Sequence, residues 1–307
     1  GANALDANTT ANGNTAVGKD ALSANQTGAT NTAVGFTSLA NNTASDNTAF
    51  GGFALAANTS GTRNVAVGLQ ALEANTTAND NTALGRQALQ TNTTGENNTA
   101  IGKSSLTSNT TANNNTAVGT SALTANTTGA DNTACGSIAL DANTTGSTND
   151  AFGRNALGKN TTGSNNVALG NNSLSNNLTA DNNTAVGKSA LTLNTTGTSN
   201  VAVGVNSLGS NTTASNNTAV GKDALVSNTT GDSNTALGSL AAPSTSTANN
   251  CTAIGRSSLF DNTTGSDNTA VGKSALENNT TASLNTAVGS SALLANTTGT
   301  QNVAVGA

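Results

Sequence analysis

The sequence predicts an all-β protein, a parallel β-solenoid or β-roll of about eighteen coils with about seventeen residues per coil. Two observations support this prediction: a seventeen-residue repeat runs through residues 1–307, and a Gly recurs at one fixed position of every repeat. The consensus is N-T-A-V-G-x-x-A-L-x-x-N-T-T-G/A-x-x, and we number its positions as columns 1 to 17, starting at Asn14. One repeat, 31–46, is a residue short. We therefore interpret residues 1–307 as a single repeat array without a separate globular domain.

Columns 1–4, with the sequence N-T-A-V, predict a short strand, because Thr and Val favour extended backbone. Identical strands of successive coils would then pair in parallel, with A-L and N-T-T forming the second and third sides of the coil. The Gly of column 5 indicates a corner that needs positive φ or a close backbone approach. The first of these corner glycines are Gly18, Gly35, Gly51, Gly68, Gly85 and Gly102.

We expect columns 4 and 9 to form the core, because the first holds Val, Phe, Leu, Ile or Cys and the second holds Leu. Strand alternation places the Ala of column 3 on the opposite face. That face is either a homotrimer interface or the side of a narrow solenoid with little room. Pro243, whose coil carries Ala242 in column 9, predicts a local bulge or an exposed bend. One coil cannot be stable alone, so stability must come from stacking between coils.

Composition excludes several classes of function. Charged residues are 8% of the chain, the net charge is -5, and His is absent. Such a chain has no electrostatic footprint for nucleic acid, and without a long apolar run it has no membrane span. Carboxylates such as Asp6, Glu73, Asp141 and Glu277 recur too irregularly for an acid–base pair or a calcium site. We expect no enzyme activity, no metal and no cofactor.

The two cysteines, Cys135 and Cys251, occupy columns 4 and 1 of different coils. Seven coils at ~4.8 Å separate them by about 33 Å, which is far beyond the reach of a disulfide. We expect two free thiols that act as small core fillers.

Column 12 carries Asn-x-Thr or Asn-x-Ser in nearly every coil. This pattern is that of N-glycosylation acceptors, but a ladder of stacked Asn amides predicts the same residues. We favour the ladder, because Asn also fills column 1, where glycans would be crowded. The residues concerned are Asn8, Asn75, Asn92, Asn109, Asn126, Asn143, Asn160, Asn194, Asn211, Asn228, Asn262, Asn279 and Asn296.

Column 6 collects most of the basic residues and so predicts a sparse basic stripe just beyond the Gly corner. Its members are Lys19, Arg86, Lys103, Arg154, Lys188, Lys222, Arg256 and Lys273. The stripe could contact anionic polysaccharide, or it could consist of solvated charges that discourage lateral aggregation, which is the interpretation we favour.

The N-T-A-V-G-x-x-A-L units with their N-T-T-G connection resemble the repeats of tail-fibre proteins from phages and environmental bacteria. More distantly, they resemble the head of YadA-like trimeric autotransporter adhesins, whose unit is shorter and lacks the N-T-T-G segment. The resemblance covers the whole chain. It implies an elongated stalk or adhesive head that is extracellular, on a cell or virion surface. We also expect the chain to self-associate, as a homotrimer or an end-to-end filament.

We therefore expect a structural component of an extracellular fibre. The main alternative is a carbohydrate- or receptor-binding adhesin or phage tail-fibre module that binds surface glycans. A third is an ice-binding solenoid with regular Thr rows, although the Thr row of column 2 is interrupted at Val65, Val167, Val201, Val303 and Asp150.

Overall fold

The computed structural model describes residues 1–306 and confirms the all-β parallel solenoid. Its secondary structure consists of eighteen strands of three residues each, and these described residues contain no helix. The chain forms two compact units, which we call unit 1 (Gly1–Ala151) and unit 2 (from Phe152 onward). In unit 1 the strands are β1 (Thr15–Val17), β2 (Thr32–Val34), β3 (Thr48–Phe50), β4 (Val65–Val67), β5 (Thr82–Leu84), β6 (Thr99–Ile101), β7 (Thr116–Val118) and β8 (Thr133–Cys135).

The strands of unit 2 follow the same seventeen-residue spacing. They are β10 (Val167–Leu169), β11 (Thr184–Val186), β12 (Val201–Val203), β13 (Thr218–Val220), β14 (Thr235–Leu237), β15 (Thr252–Ile254), β16 (Thr269–Val271), β17 (Thr286–Val288) and β18 (Val303–Val305). The remaining strand, β9 (Asp150–Phe152), includes the boundary between the units.

Within each unit, consecutive strands pair in parallel so that equivalent columns lie opposite each other. In unit 1, Ala16 lies opposite Ala33, and in unit 2, Ala287 lies opposite Ala304. The column 2 N–H donates to the column 1 carbonyl of the next coil, as from Thr15 to Asn31 at 2.8 Å. The column 5 N–H donates back to the column 4 carbonyl of the preceding coil. Each coil is thus hydrogen bonded to the coils before and after it.

The A-L and N-T-T segments form the other sides of the coil, but they are turns and not strands. Residues in columns 7, 9 and 17 adopt left-handed backbone, as at Asp20 (φ +57°), Leu22 (φ +52°) and Thr30 (φ +58°). A left-handed Leu costs about 1–2 kcal/mol, which is comparable to the ~1.5–3 kcal/mol gained by burying its side chain. Backbone bonds still join these sides between coils: the Leu55 N–H donates to the Ala71 carbonyl at 3.0 Å.

The interior contains the column 9 Leu and the column 3 Ala, which are fully buried at positions such as Leu72 and Ala66. The expectation that column 4 belongs to the core is wrong: Val17 is 56% exposed and Phe50 is 55% exposed. Columns 2 and 4 share one face of the strand, and that face points outward. The Ala column therefore reflects a narrow interior, and its interpretation as a homotrimer interface is wrong.

Pro243 does not produce the expected bulge or exposed bend. The residue is buried, and its carbonyl accepts the Ser227 N–H at 3.1 Å, as the equivalent carbonyl does in other coils. Strands β14 and β15, on either side of this proline, remain in register. Proline is tolerated here because column 10 lies in a turn and not in a strand.

The true repeat of the chain is two coils. Column 15 alternates between Ala and Gly from Ala11 to Gly299, with Gly146 as the single exception. In a Gly coil, the N–H groups of Thr93 and Thr94 both donate to the Thr110 carbonyl, at 2.9 and 3.2 Å. In the following Ala coil, the equivalent first bond, from Thr110 to the Thr127 carbonyl, is longer at 3.2 Å. The turn at column 15 thus differs between successive coils.

Candidate functional site

The Asn residues of column 12 form a ladder inside the solenoid. The amide of Asn109 is fully buried and donates to Asn92 Oδ1 in the preceding coil (2.8 Å) and to the Ala112 carbonyl in its own turn (3.0 Å). Its own Oδ1 accepts from Asn126 in the next coil at 3.2 Å. Each amide therefore closes one turn and joins it to both neighbouring coils.

A second ladder follows column 1. Asn81 Oδ1 accepts the backbone N–H of Asn98 at 2.9 Å, and the Asn81 amide donates to the Gly95 carbonyl at 2.9 Å. Asn81 and Asn98 are fully buried. These two ladders satisfy the polar groups of a coil whose interior is too narrow for large apolar side chains.

The glycosylation acceptor atom of the column 12 sequons is the amide nitrogen that the ladder uses. At Asn75 this nitrogen donates to Asn58 Oδ1 and to the Ala78 carbonyl, and the residue has no exposed surface. Modification of such an amide would require the coil to open. In the folded chain, the Asn residues of column 12 therefore have a structural role.

The column 12 ladder is interrupted where Thr245 replaces Asn. Among residues 1–306, the buried atoms Asn228 Oδ1 and Thr245 Oγ1 have no hydrogen-bond partner. Asn25 Oδ1 is also buried without a hydrogen-bond partner, and it lies next to the coil that is one residue short. An unsatisfied buried acceptor costs about 1–3 kcal/mol.

We expect Thr245→Asn to stabilise the chain by about 1–3 kcal/mol, because the new amide can donate to Asn228 Oδ1 and accept from Asn262. Urea unfolding followed by circular dichroism measures the change. Thr247→Asn, at an exposed position two residues away, serves as the control and should leave the free energy of unfolding unchanged. Equal stability of Thr245→Asn and wild type would show that the interruption carries no cost.

The outward face of the strands is an uncharged strip in each unit, which we call the outward ribbon. It consists of columns 2 and 4 of β1–β8 in unit 1 and of β10–β18 in unit 2. Column 2 is Thr or Val on these strands, and column 4 is Val, Leu, Ile, Phe or Cys. Exposed members include Leu84 (46%), Val65, Leu169 and Leu237. The sequence signal for this ribbon is the apolar column 4 itself, which we had assigned to the core.

Two charged edges border the ribbon along the chain. The basic edge is the predicted stripe of column 6, whose side chains are all exposed. The acidic edge lies in columns 16 and 17, just before the strand, and contains Asp46, Asp80, Glu96, Asp131, Asp181, Asp232 and Asp267. Lys19 and Lys222 of the basic edge each pair with the neighbouring Asp, at 3.7 and 3.2 Å.

Arg63 is the one basic residue of the acidic edge, and it forms an ion pair with Asp80 of the next coil. Its Nε donates to Asp80 Oδ1 at 2.7 Å, and its Nη2 donates to Asp80 Oδ2 at 2.9 Å. These hydrogen bonds lower the pKa of Asp80 and raise the pKa of Arg63. The ion pair is solvent-exposed and therefore adds little to stability.

The two thiols are free and lie in different environments. Cys251 is buried in column 1, where its Sγ donates to the Gly265 carbonyl at 3.2 Å in place of an Asn amide. Burial raises the pKa of the Cys251 thiol. Cys135 is exposed on the outward ribbon, so the expectation that it fills the core is wrong.

No family model matches this sequence, and no curated protein shows significant similarity to it. The class that the geometry defines is a parallel β-solenoid with seventeen-residue coils and two internal Asn ladders. The part of the chain that the structure describes has no helix with the length and hydrophobicity to cross a membrane. In the same residues, no three His, Cys, Asp or Glu side chains come together as a metal site would require.

Proposed function

We propose that the chain is a structural component of an extracellular fibre or filament, on a cell or virion surface, and not an enzyme. The observation that carries this proposal is the in-register parallel pairing of equivalent strands from coil to coil within each unit. The resemblance of the N-T-A-V-G units to tail-fibre repeats supports the same role. In such a module, the number of coils sets the length.

Removal of whole coils tests this role. We expect deletion of residues 183–216, two complete coils, to leave unit 2 folded and to shorten it by about 10 Å, since paired strands are ~4.8 Å apart. Spin labels at positions 171 and 290, both in exposed column 6, measure the change by pulsed electron resonance in a Cys135→Ser background. Their separation should fall from about 34 Å to about 24 Å.

Deletion of 183–208 is the matched control, because twenty-six residues are not a whole number of coils. This variant should lose the register of its Asn ladders and unfold less cooperatively. An unchanged label distance after the 34-residue deletion would contradict a length set by coil number.

A binding role is the second candidate, and one surface feature of unit 2 favours it. Gly209 removes a side chain from column 10 and leaves an open, mostly apolar cavity of about 310 Å³ beside Thr192, Leu193 and Val226. Variable columns at this surface could contact a glycan or a receptor. Binding of the chain to a glycan array, abolished by Gly209→Leu, would favour the adhesin over the spacer. Absence of binding favours the spacer.

A further inference from the structure

We propose that the outward ribbon of each unit packs against the outward ribbon of a second copy of this chain, with the two chains parallel and in register. This inference deepens the proposed structural role by naming the surface through which the fibre assembles. It is tested by association, whereas the structural role is tested by coil deletion, so the two can fail separately.

The first argument is that column 4 excludes polar residues although its side chains are exposed or half-buried. Each of the eighteen strands in residues 1–306 ends on Val, Leu, Ile, Phe or Cys. Column 6, two residues further on, is also exposed and accepts Lys, Arg, Thr, Ser, Asn and Gly as readily as Leu69 or Val205. Exposure alone therefore does not explain column 4, whereas coverage by an apolar partner does.

The second argument is area. Eight strands at ~4.8 Å, each presenting about 10 Å of backbone, give unit 1 a ribbon of roughly 400 Å². This equals the largest apolar patch of a typical monomer. Unit 2 presents a ribbon of similar size, and each ribbon alone is about half of the ~800 Å² that one partner contributes to a standard stable interface.

The third argument is periodicity, which identifies the partner. Side chains on the ribbon recur at the strand spacing over eight or nine successive strands. A second copy of the chain has the same spacing and can keep its side chains matched to every strand. The column 4 residues differ in size, as Phe50, Val67 and Leu84 show, and such an uneven surface fits another protein ribbon better than a crystalline lattice.

The fourth argument is charge, which sets the orientation. The basic edge follows column 4, and the acidic edge precedes column 2. Two parallel ribbons can face each other when the chains are related by a two-fold rotation about an axis that lies between them, parallel to the direction in which the coils stack. The basic edge of one chain then lies beside the acidic edge of the other. Antiparallel ribbons instead place like edges together, which opposes association. Parallel chains related by closed rotational symmetry also lie in register, because rotation about the axis does not shift the coils along it.

Association of the full chain tests the surface. We expect the wild type to sediment as an oligomer at micromolar concentration and Leu84→Lys to weaken that association at least tenfold. Leu69→Lys is the matched control, since Leu69 is 48% exposed against 46% for Leu84, lies one coil away and occupies a column that carries Lys elsewhere. Circular dichroism melts should show that both variants fold as the wild type does.

Disulfide trapping tests the orientation. In a Cys135→Ser background, a mixture of Thr15→Cys and Val17→Cys chains should form a mixed dimer across the ribbon with diamide, which accepts the two electrons and two protons of the thiols. Leu69→Cys in the same background should not. Parallel, in-register chains related by rotation place column 4 of one chain opposite column 2 of the other, so positions 17 and 15 meet, whereas antiparallel chains separate them.

A wild-type chain that remains monomeric at 100 µM, on the order of the weakest stable dimers, would overturn the proposal. If that monomer also inhibited ice recrystallisation, the ribbon would bind ice and not a second copy. Unchanged association of Leu84→Lys would move the interface elsewhere. Failure of Thr15→Cys to cross-link with Val17→Cys within a confirmed oligomer would overturn the parallel arrangement.

Discussion

Gly51→Ala should destabilise unit 1 by about 3–5 kcal/mol, at the upper end of single-substitution effects. Gly51 has φ +138°, and an added Cβ would lie 2.5 Å from the Gly68 carbonyl oxygen and 2.7 Å from its carbon. Both are backbone atoms held by coil-to-coil bonds, so the next coil cannot move aside without breaking its own pairing. Urea unfolding followed by circular dichroism measures the loss.

The adjacent residue provides the control. A Cβ on Gly52 would meet only the flexible Leu69 side chain, at 3.4 Å, and an oxygen at 4.0 Å, and its φ lies outside the left-handed region. Gly52→Ala should therefore change the free energy of unfolding by less than about 1 kcal/mol. Equal effects of the two substitutions would show that the corner needs no glycine.

Asn92→Asp should also destabilise unit 1 by about 3–5 kcal/mol at neutral pH, because it buries a negative charge that has no cationic partner and keeps only the hydrogen bond from the Asn109 amide. The Asn92 amide donates to Asn75 Oδ1 at 3.1 Å and to the Gly95 carbonyl at 2.9 Å. A carboxylate at this position would face two acceptors and could donate to neither. Thermal and urea unfolding between pH 3 and pH 8, on the order of the range in which Asp titrates, measures the effect.

The sign of the pH dependence follows from the same contacts. Burial and the two facing acceptors raise the pKa of the introduced carboxyl above its unfolded value, because only the protonated acid can donate to Gly95. The folded variant therefore binds more protons than the unfolded one, and its stability falls as pH rises through that interval. The loss should be smallest below the unfolded pKa and largest above the folded pKa.

Asn97→Asp is the matched control for this ladder substitution. Asn97 lies in the same coil but is exposed, in column 17, where Asp80 occurs in the preceding coil and Asp131 occurs two coils further on. The stability of the Asn97→Asp variant should match that of the wild type at every pH. A loss as large as that of Asn92→Asp would mean that net charge, and not the ladder, sets the effect.

The sequence was sufficient to predict the coil length, the strand at N-T-A-V and the buried Leu of column 9. These depend on periodicity and on the preference of large apolar side chains for the interior. The turns at columns 7 and 9 could not be predicted, because Phe53 and Ile138 in column 7 and Leu22 in column 9 are not residues that favour left-handed backbone. Leu22 adopts it because the stacked coils bury its side chain only in that conformation.

The sequence alone determined that alternate residues of the N-T-A-V strand lie on opposite faces, because a strand has a period of two. Only the tertiary structure decided which face points inward. The column 4 residues are larger and more apolar than Ala16 or Ala33, so hydrophobicity predicts the wrong face. The interior already contains the column 9 Leu and the two Asn ladders. The strand can pack beside them only if its inward-facing side chain is as small as the methyl group of Ala.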